Sequence, residues 1–290
     1  MKYRKVNLPE QISLDDSLII EGDALYALRV LPDRSIHCVV TSPPYWGLRD
    51  YGIDGQIGLE TTLPQFINHL VAIFNEVKRV LRDDGTLWVN IGDGYTSGNR
   101  GYRASDKKNP ARAMTVRPDT PEGLKPKDLQ GIPWRLAFAL QDDGWYIRSD
   151  IVWYKPNAMP ESVKDRPTRA HEYLFMFTKN ERYYYDYEAV REDGLNGKLR
   201  NRRSVWNINT QGFSGAHFAT FPTKLIEPCI LASTKPSDFV LDPFFGSGTV
   251  GVTCSEQHRR YVGIELNPEY VALAADRLSA TEDKIIRIAV

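Results

Sequence analysis

The segment DPFFGSGT at residues 242–249 decides the fold, and it does so together with TSPPYW at residues 41–46. Each motif follows an apolar run typical of a buried strand, Ile36 to Val40 before TSPPYW and Phe239 to Leu241 before DPFFGSGT. Each motif continues into proline or glycine, so the chain leaves the predicted strand at its carboxyl end. Ligands bind at that end of an open α/β sheet. The two motifs therefore predict a binding site.

The glycines of DPFFGSGT allow the backbone to approach a ligand closely, and the helix predicted from Thr249 to His258 offers unpaired N–H groups. The motif is neither a Walker loop, because no Lys-Ser or Lys-Thr follows the glycines, nor a G-x-G-x-x-G fingerprint. The next predicted strand, Tyr261 to Glu265, ends in a carboxylate. Such an acid commonly accepts hydrogen bonds from ribose hydroxyls. The pattern indicates a nucleotide-like pocket.

These motifs, in this order, resemble the beta class of DNA methyltransferases that methylate exocyclic amino groups with S-adenosylmethionine. SPPY at 42–45 matches the catalytic motif and DPFFGSGT matches the cofactor motif, and the similarity extends from Ile19 to Leu278. The resemblance implies an α/β fold with a doubly wound, mostly parallel, seven-stranded-type sheet. This is the Rossmann-like methyltransferase fold, and basic loops are inserted at its ligand edge.

The resemblance also implies a single methyltransferase domain over residues 1–290. Its expected segments are a catalytic half (17–95), a basic loop insertion (96–130), strands and helices bordering the base pocket (131–193), a candidate target-recognition segment (194–216) and a cofactor-binding half (217–278).

The expected catalytic residues are Ser42, Pro43, Pro44 and Tyr45. An exocyclic amine is a poor nucleophile because its lone pair is delocalised into the ring, so the enzyme must accept hydrogen bonds from the amine hydrogens. The Ser42 hydroxyl and the Pro43 carbonyl suit this role, while the two prolines fix the turn. Tyr45 offers a face on which a flipped base can stack, with Trp46 beside it at the DNA. This chemistry needs neither a metal nor a covalent intermediate.

By resemblance, further residues contact the cofactor. Asp23 is expected near the adenine, although an N-cap role fits it equally, Lys224 near the methionine carboxylate, and Glu265 at the ribose. The complete predicted set is Asp23, Lys224, Asp242, Pro243, Phe244, Gly246, Ser247, Gly248, Thr249, Glu265 and Asn267.

The net charge is zero, with 37 basic and 37 acidic residues, but the charge is unevenly distributed. Segment 97–130 contains eight basic residues against four acids, and segment 194–224 contains five basic residues and no acid. Two basic loops on a neutral protein favour a double-stranded DNA partner. The best candidates for target recognition combine cations, an amide and an aromatic ring: Arg200, Arg202, Arg203, Trp206 and Asn207.

The three cysteines have no C-x-x-C spacing, and no apolar run approaches the length of a membrane span. We therefore expect a soluble cytoplasmic protein without disulfides or a zinc site. Cytosine C5 chemistry needs a cysteine nucleophile, typically in a Pro-Cys motif, and the one Pro-Cys pair, Pro228-Cys229, falls in a predicted helix far from Ser42. The resemblance implies a homodimer and a cognate restriction endonuclease as further partners.

Serine at position 42, in place of the aspartate of the commoner adenine pattern, favours cytosine N4 as the target. Adenine N6 stays open, because both target amines present the same hydrogens to an oxygen acceptor. An RNA or small-molecule methyltransferase would lack the basic segments. A non-catalytic DNA-binding remnant would have lost one of the two motifs, and both are intact.

Overall fold

The structure is a computed structural model, and it describes residues 4–7, 11–97, 118–194, 197–211, 221–280 and 284–289. The strands are β1 (Arg4–Asn7), β2 (Leu18–Glu21), β3 (Ile36–Thr41), β4 (Leu81–Ile91), β5 (Tyr146–Tyr154), β6 (His171–Thr178), β7 (Glu192–Asp193), β8 (Leu199–Arg200), β9 (Val205–Asn207), β10 (Phe239–Asp242), β11 (Arg260–Glu265) and β12 (Ile285–Ala289). The helices are α1 (Ala24–Arg29), α2 (Leu63–Val80), α3 (Ile132–Asp142), α4 (Thr223–Ser233), α5 (Thr249–Glu256) and α6 (Pro268–Leu278).

A ten-stranded sheet forms the centre of the molecule, in the order β1-β12-β2-β11-β10-β3-β4-β6-β5-β9. Within the described ranges, β6 alone runs antiparallel to its neighbours, and all other pairs in this sheet are parallel. The predicted mostly parallel sheet is confirmed. It is wider than seven strands, because β1 and β12 extend one edge and β9 extends the other. The short β7 and β8 form a separate pair.

Helices cover both faces of the sheet, as the term doubly wound requires. Successive residues of β3 point to opposite faces, so Val39 packs in the core beneath α1, α2 and α3, whereas Cys38 and Val40 pack in the core beneath α4, α5 and α6. Strands that are buried on both faces need apolar residues at consecutive positions. This explains why the run from Ile36 to Val40 does not alternate with polar residues.

The sheet has a topological switch point between β3 and β10. These strands are parallel neighbours, with Val240 opposite Cys38 and Leu241 opposite Val39. The chain leaves β3 through α2 towards β4 on one side, and it leaves β10 through α5 towards β11 on the other. The diverging connections open a crevice at the carboxyl ends of the two strands, where α/β sheets bind ligands. TSPPYW and DPFFGSGT both lie there.

Helix α2 begins where the sequence predicts it. The Thr62 side chain accepts from the Gln65 backbone N–H and the Gln65 side chain accepts from the Thr62 N–H, which is a capping box. The predicted break at Asp83-Asp84-Gly85, however, is wrong. Strand β4 begins at Leu81 and runs through these residues, because Leu81 already pairs with Ile36 of β3.

Cys38, Cys229 and Cys254 are all buried free thiols, and burial raises the pKa of Cys38 to about 12. Cys229 lies inside α4, as predicted. The helices of the described residues include none long and apolar enough to cross a membrane. The same residues contain no cluster of three or more potential metal ligands.

Candidate active site

One cavity is lined by residues of both motifs. Its wall combines the turn after β3 with the turn after β10, and α1, α6 and the segment 47–60 complete it. The predicted residues that line it are Asp23, Ser42, Pro43, Pro44, Tyr45, Asp242, Pro243, Phe244, Gly246, Ser247, Thr249, Glu265 and Asn267. Two stretches about 200 positions apart in the sequence therefore share one site, as their position at the carboxyl ends of neighbouring strands requires.

A buried hydrogen bond connects the two motifs. The Thr41 hydroxyl donates to Asp242 Oδ1 at 2.6 Å, and the backbone N–H of Phe244 donates to the same oxygen at 3.0 Å. Asp242 is 2% exposed, and its burial raises its pKa to about 7, against the opposing effect of these two donors. Asp242 thus holds the ends of β3 and β10 together and shapes the turn that follows it.

Replacing Asp242 with asparagine is expected to remove part of the pH dependence of stability. The carboxyl group has a pKa of about 7 in the folded protein and near 3.8 without burial, so the folded state binds the proton more tightly. The stabilising contribution of this group is complete below pH ~4 and is lost as the pH rises through ~7. Urea unfolding from pH ~4 to ~8 should show the difference in unfolding free energy between wild type and D242N falling by at most ~1.4 kcal/mol per pH unit. A difference that does not vary with pH would contradict this assignment.

The glycine turn after β10 is built around the ring of Phe245. The Phe245 N–H donates to the Ile264 carbonyl at 2.8 Å, and the ring lies over Gly263, where a Cβ atom would be only 2.3 Å from Cγ of the ring. The following residue, Gly246, adopts φ +51, a left-handed conformation that favours glycine. The sequence does not reveal the role of Gly263, because Gly263 and Phe245 lie on different elements.

Glu265 fixes the same turn from the end of β11. Its carboxylate accepts the Gly246 N–H at 2.7 Å on one oxygen and the Asn267 N–H at 2.8 Å on the other. Burial raises its pKa, while the backbone donors act in the opposite direction. Each carboxylate oxygen has a second lone pair, so Glu265 can also accept hydrogen bonds from ribose hydroxyls at the cavity. The chemistry of this wall fits S-adenosylmethionine, with Phe244 and Ile57 as apolar neighbours.

Asp23 and Asn267 combine structural capping with a place at the cavity. The Asp23 carboxylate accepts the Tyr26 N–H at the start of α1, and the Asn267 side chain accepts the Glu269 N–H at the start of α6. Both residues also line the cavity. The capping role and the predicted contact with the cofactor are therefore compatible.

Two predicted cofactor residues are not at the cavity wall. The Cα of Gly248 faces α6, since a Cβ atom at this position would lie 3.1 Å from the Ala274 side chain. Lys224 is exposed in the first turn of α4. Gly248 therefore allows α5 and α6 to pack closely, and nothing in the described part of the chain brings the Lys224 ammonium group to the cavity.

The segment 47–60 covers the cavity, as its glycine content predicts. Leu48, Arg49, Tyr51, Ile53, Gln56 and Ile57 all contribute to the wall. Tyr51 packs edge-on against Tyr270 of α6, with ring centroids 6.1 Å apart. Sequence reasoning missed both tyrosines as site residues. The signal that was available is the unusual aromatic residue inside a glycine-rich, polar segment.

Tyr45 enters the cavity from the end of TSPPYW and is held from behind. Its hydroxyl donates to Glu172 Oε2 at 2.9 Å, and its ring lies against Gly92, where a Cβ atom would be 2.7 Å from ring carbon Cε2. Burial and the neighbouring Glu172 charge raise the Tyr45 pKa well above its usual value. The hydroxyl is therefore protonated and acts as a donor. Sequence reasoning missed Glu172 and Gly92.

The two tryptophans predicted to contact DNA belong to the core. Trp46 is 6% exposed and its indole N–H donates to the Glu60 carbonyl at 2.9 Å. Trp206 is also 6% exposed, and its indole N–H donates to the Arg203 carbonyl at 2.6 Å. An indole ring with its N–H satisfied inside the protein stabilises the local fold. Surface contact with DNA does not fit either residue.

The other predicted recognition residues lie around the edge strand β9. Arg203 and Asn207 are exposed, Arg200 forms an ion pair with Glu192 at 2.9 Å, and the Arg202 guanidinium lies 4.5 Å from the Trp206 ring centroid. Most of the basic loop predicted to contact DNA, residues 98–117, lies outside the described residues, as do residues 212–220.

Comparisons with known proteins agree with this site. The DNA methylase family model matches residues 36–276. The chain is 72% identical to the Type II methyltransferase M.Cfr9I of Citrobacter freundii over 100% of this chain and 96% of that protein. It is 74% identical to the Type II methyltransferase M.XycI of Xanthomonas campestris pv. cyanopsidis over 97% of this chain and 94% of that protein.

Solved structures share the fold. The cytosine-N4-specific PvuII DNA methyltransferase superimposes with a TM-score of 0.69 at 22% identity, over 96% of this chain and 98% of that one. A DNA modification methylase of Thermus thermophilus, solved with S-adenosyl-L-methionine, gives a TM-score of 0.65 at 23% identity, over 94% and 98% of the two chains. The motifs, their common cavity and these matches together show that the chain belongs to the DNA methylase family of N4/N6 amino-methyltransferases and is an S-adenosylmethionine-dependent DNA methyltransferase.

Proposed function

We propose that this enzyme methylates N4 of cytosine at a specific sequence in duplex DNA. The observation that carries the proposal is the cavity that Ser42 and Pro43 share with Gly246 and Glu265. Serine at position 42 favours cytosine, and the PvuII enzyme, which has the same fold, is cytosine-N4-specific. Adenine N6 is the alternative, because the same oxygens can accept hydrogen bonds from either amine.

The residues of the chain divide the chemical work. When bound, S-adenosylmethionine supplies an electrophilic methyl group on its sulfonium, and Glu265 with the Gly246 turn would hold it. The Ser42 hydroxyl and the Pro43 carbonyl accept hydrogen bonds from the target amine, which localises the nitrogen lone pair. Holding the amine in this geometry also removes much of the entropic cost of bringing the reactants together. The Tyr45 ring supplies a surface for the flipped base.

The decisive experiment identifies the modified nucleoside. The purified protein is incubated with methyl-labelled cofactor and unmethylated genomic DNA, and the DNA is digested to nucleosides for mass spectrometry. We expect N4-methyldeoxycytidine. N6-methyldeoxyadenosine would overturn the choice of base, whereas label in RNA alone, or no label, would overturn the choice of substrate. A reaction with fully methylated product DNA serves as the control.

We propose that the exposed polar residues around β9 contact the DNA. Arg203 and Asn207 are exposed on an edge strand that is parallel to β5, and Asn207 lies opposite Tyr154 at the carboxyl end of β5. An arginine can bind a phosphate and an amide can read an adenine edge, which suits a surface that both positions the duplex and reads it.

Replacing Arg203 with alanine is expected to weaken DNA binding at all sequences. Loss of one phosphate contact should reduce the slope of log K against log salt by about 1. Arg34 provides a matched control, because it is an exposed arginine that precedes β3 at the opposite end of the strands. Fluorescence anisotropy with a labelled duplex over a salt series measures both variants. Equal slopes for R203A and R34A would remove Arg203 from the DNA surface.

The remaining partners are also proposals. The relatives from Citrobacter freundii and Xanthomonas campestris are Type II methyltransferases, which suggests a cognate endonuclease of the same specificity for this chain. The homodimer rests on the family resemblance. Sedimentation equilibrium tests the dimer, and protection of DNA from a candidate nuclease after methylation tests the pairing.

A further inference from the structure

A polar cluster lies behind the Tyr45 ring, on the side of the sheet away from the cofactor turn. It brings together Asn90 from β4, Lys155 just after β5, and Glu172 near the start of β6. Because β6 runs antiparallel to its neighbours, its beginning lies beside the carboxyl ends of β4 and β5. The sheet topology therefore places a carboxylate at the edge that carries the catalytic motif.

Glu172 accepts hydrogen bonds from three side chains. The Tyr45 hydroxyl and Asn90 Nδ2 donate to Oε2 at 2.9 and 3.2 Å, and Lys155 Nζ donates to Oε1 at 2.5 Å. The Lys155 and Glu172 side chains are only 16% and 18% exposed. The Lys155 ammonium also lies 4.1 Å from the Trp153 ring centroid. The carboxylate that receives the Tyr45 hydroxyl is thus itself held on two sides.

A requirement for stability alone does not explain this cluster. Desolvation of a charged pair offsets most of its Coulomb energy, and apolar residues of similar size are often at least as stabilising. The following residues of β6, from Leu174 to Phe177, are apolar and buried. The polar residues occur only where the strand meets Tyr45. Gly92 supports the same reading, because any side chain there would displace the Tyr45 ring.

We propose that Glu172 is a positioning residue for methyl transfer. Through its bond to the hydroxyl it fixes the Tyr45 ring, so that the stacked base presents its amine in line with the methyl donor. The inference rests on the proposed role of Tyr45 as the stacking surface for the flipped base. Glu172 itself touches neither the base nor the cofactor, and it acts through Tyr45.

The test is a double-mutant cycle. Glu172→Leu is combined with Lys155→Met, which leaves no unpaired charge in the sheet, and the pair is made both in the wild-type background and in the Tyr45→Phe background. We measure the single-turnover rate of methylation of unmethylated plasmid DNA at saturating cofactor. With the Tyr45 hydroxyl present, the rate should fall about 10- to 100-fold, since a small misplacement of the reacting groups has an effect of this size. In the Tyr45→Phe background, the same change should lower the rate by no more than about twofold.

Two further measurements separate positioning from general damage. Cofactor affinity by calorimetry should stay within about threefold of wild type, because Glu172 is not part of the cofactor wall. Glu172→Gln retains an acceptor for the Tyr45 hydroxyl, so its rate should exceed that of the leucine variant. Equal losses in the wild-type and Tyr45→Phe backgrounds, or a parallel loss of cofactor affinity, would overturn the proposal.

The rate is measured for whichever base the wild type methylates. Methylation of adenine would therefore refute the choice of base and leave the Glu172 cycle intact. Wild-type protein that methylates no DNA would refute the proposed function itself.

Discussion

Replacing Glu265 with alanine is expected to lower the affinity for S-adenosylmethionine by about 100-fold. The carboxylate holds the Gly246 and Asn267 N–H groups at 2.7 and 2.8 Å and offers further lone pairs to the ribose. Hydrogen bonds to a charged group contribute ~1.5–3 kcal/mol each, and ~1.4 kcal/mol corresponds to tenfold in affinity. The variant loses the acceptor for both backbone donors and for the ligand.

Glu21 provides the matched control for this prediction. It lies directly opposite Glu265 in the β2–β11 register, but its carboxylate pairs with Arg287 at 2.7 Å and does not line the cavity. Isothermal titration calorimetry of E265A and E21A with the cofactor should show a large loss only for E265A. Similar affinities for the two variants would mean that the carboxylate at the end of β11 does not bind the cofactor.

Replacing Gly263 with alanine is expected to disrupt the cofactor turn. The added methyl carbon would lie 2.3 Å from Cγ of the Phe245 ring, and this ring is 3% exposed. The ring cannot swing into solvent, so either the strand or the turn must shift. Overpacking of this kind costs ~1–3 kcal/mol, and the shift should also lower cofactor affinity at least tenfold. Thermal unfolding and calorimetry measure the two effects.

A compensating substitution tests the cause. Phe245→Leu removes the ring and should restore part of the stability lost in G263A, because the leucine side chain leaves room for the new methyl group. The double variant should be more stable than the sum of the two single effects predicts by ~0.5–3 kcal/mol, as expected for residues in contact. Strict additivity would show that Gly263 is needed for some reason other than the Phe245 ring.

Local signals in the chain predicted much of the fold. The capping pair Thr62 and Gln65 marked the start of α2, and the apolar runs before residues 41 and 242 marked the strands β3 and β10. Proline and glycine then marked the turns that carry the site. These signals act between residues a few positions apart, so they can be recognised without knowledge of the tertiary structure.

The tryptophans show where local reasoning failed. Trp46 follows the catalytic turn and Trp206 follows three arginines, so both suggested a surface that contacts DNA. Each ring is instead buried, and each indole N–H finds a backbone carbonyl close by in the sequence. Neighbouring residues in the sequence do not determine which side of a strand or turn faces the core. The packing of the helices against the sheet decides that.

The sequence by itself determined the order of the two motifs, the strands that carry them and the class of reaction. The tertiary structure alone decided what stands behind them: the Thr41–Asp242 bond spans 201 positions and the Tyr45–Glu172 bond spans 127. Gly92 and Gly263 gain their roles in the same way, because each leaves space for a ring from a different element. Such contacts depend on which strands become neighbours in the sheet, and that is a property of the whole chain.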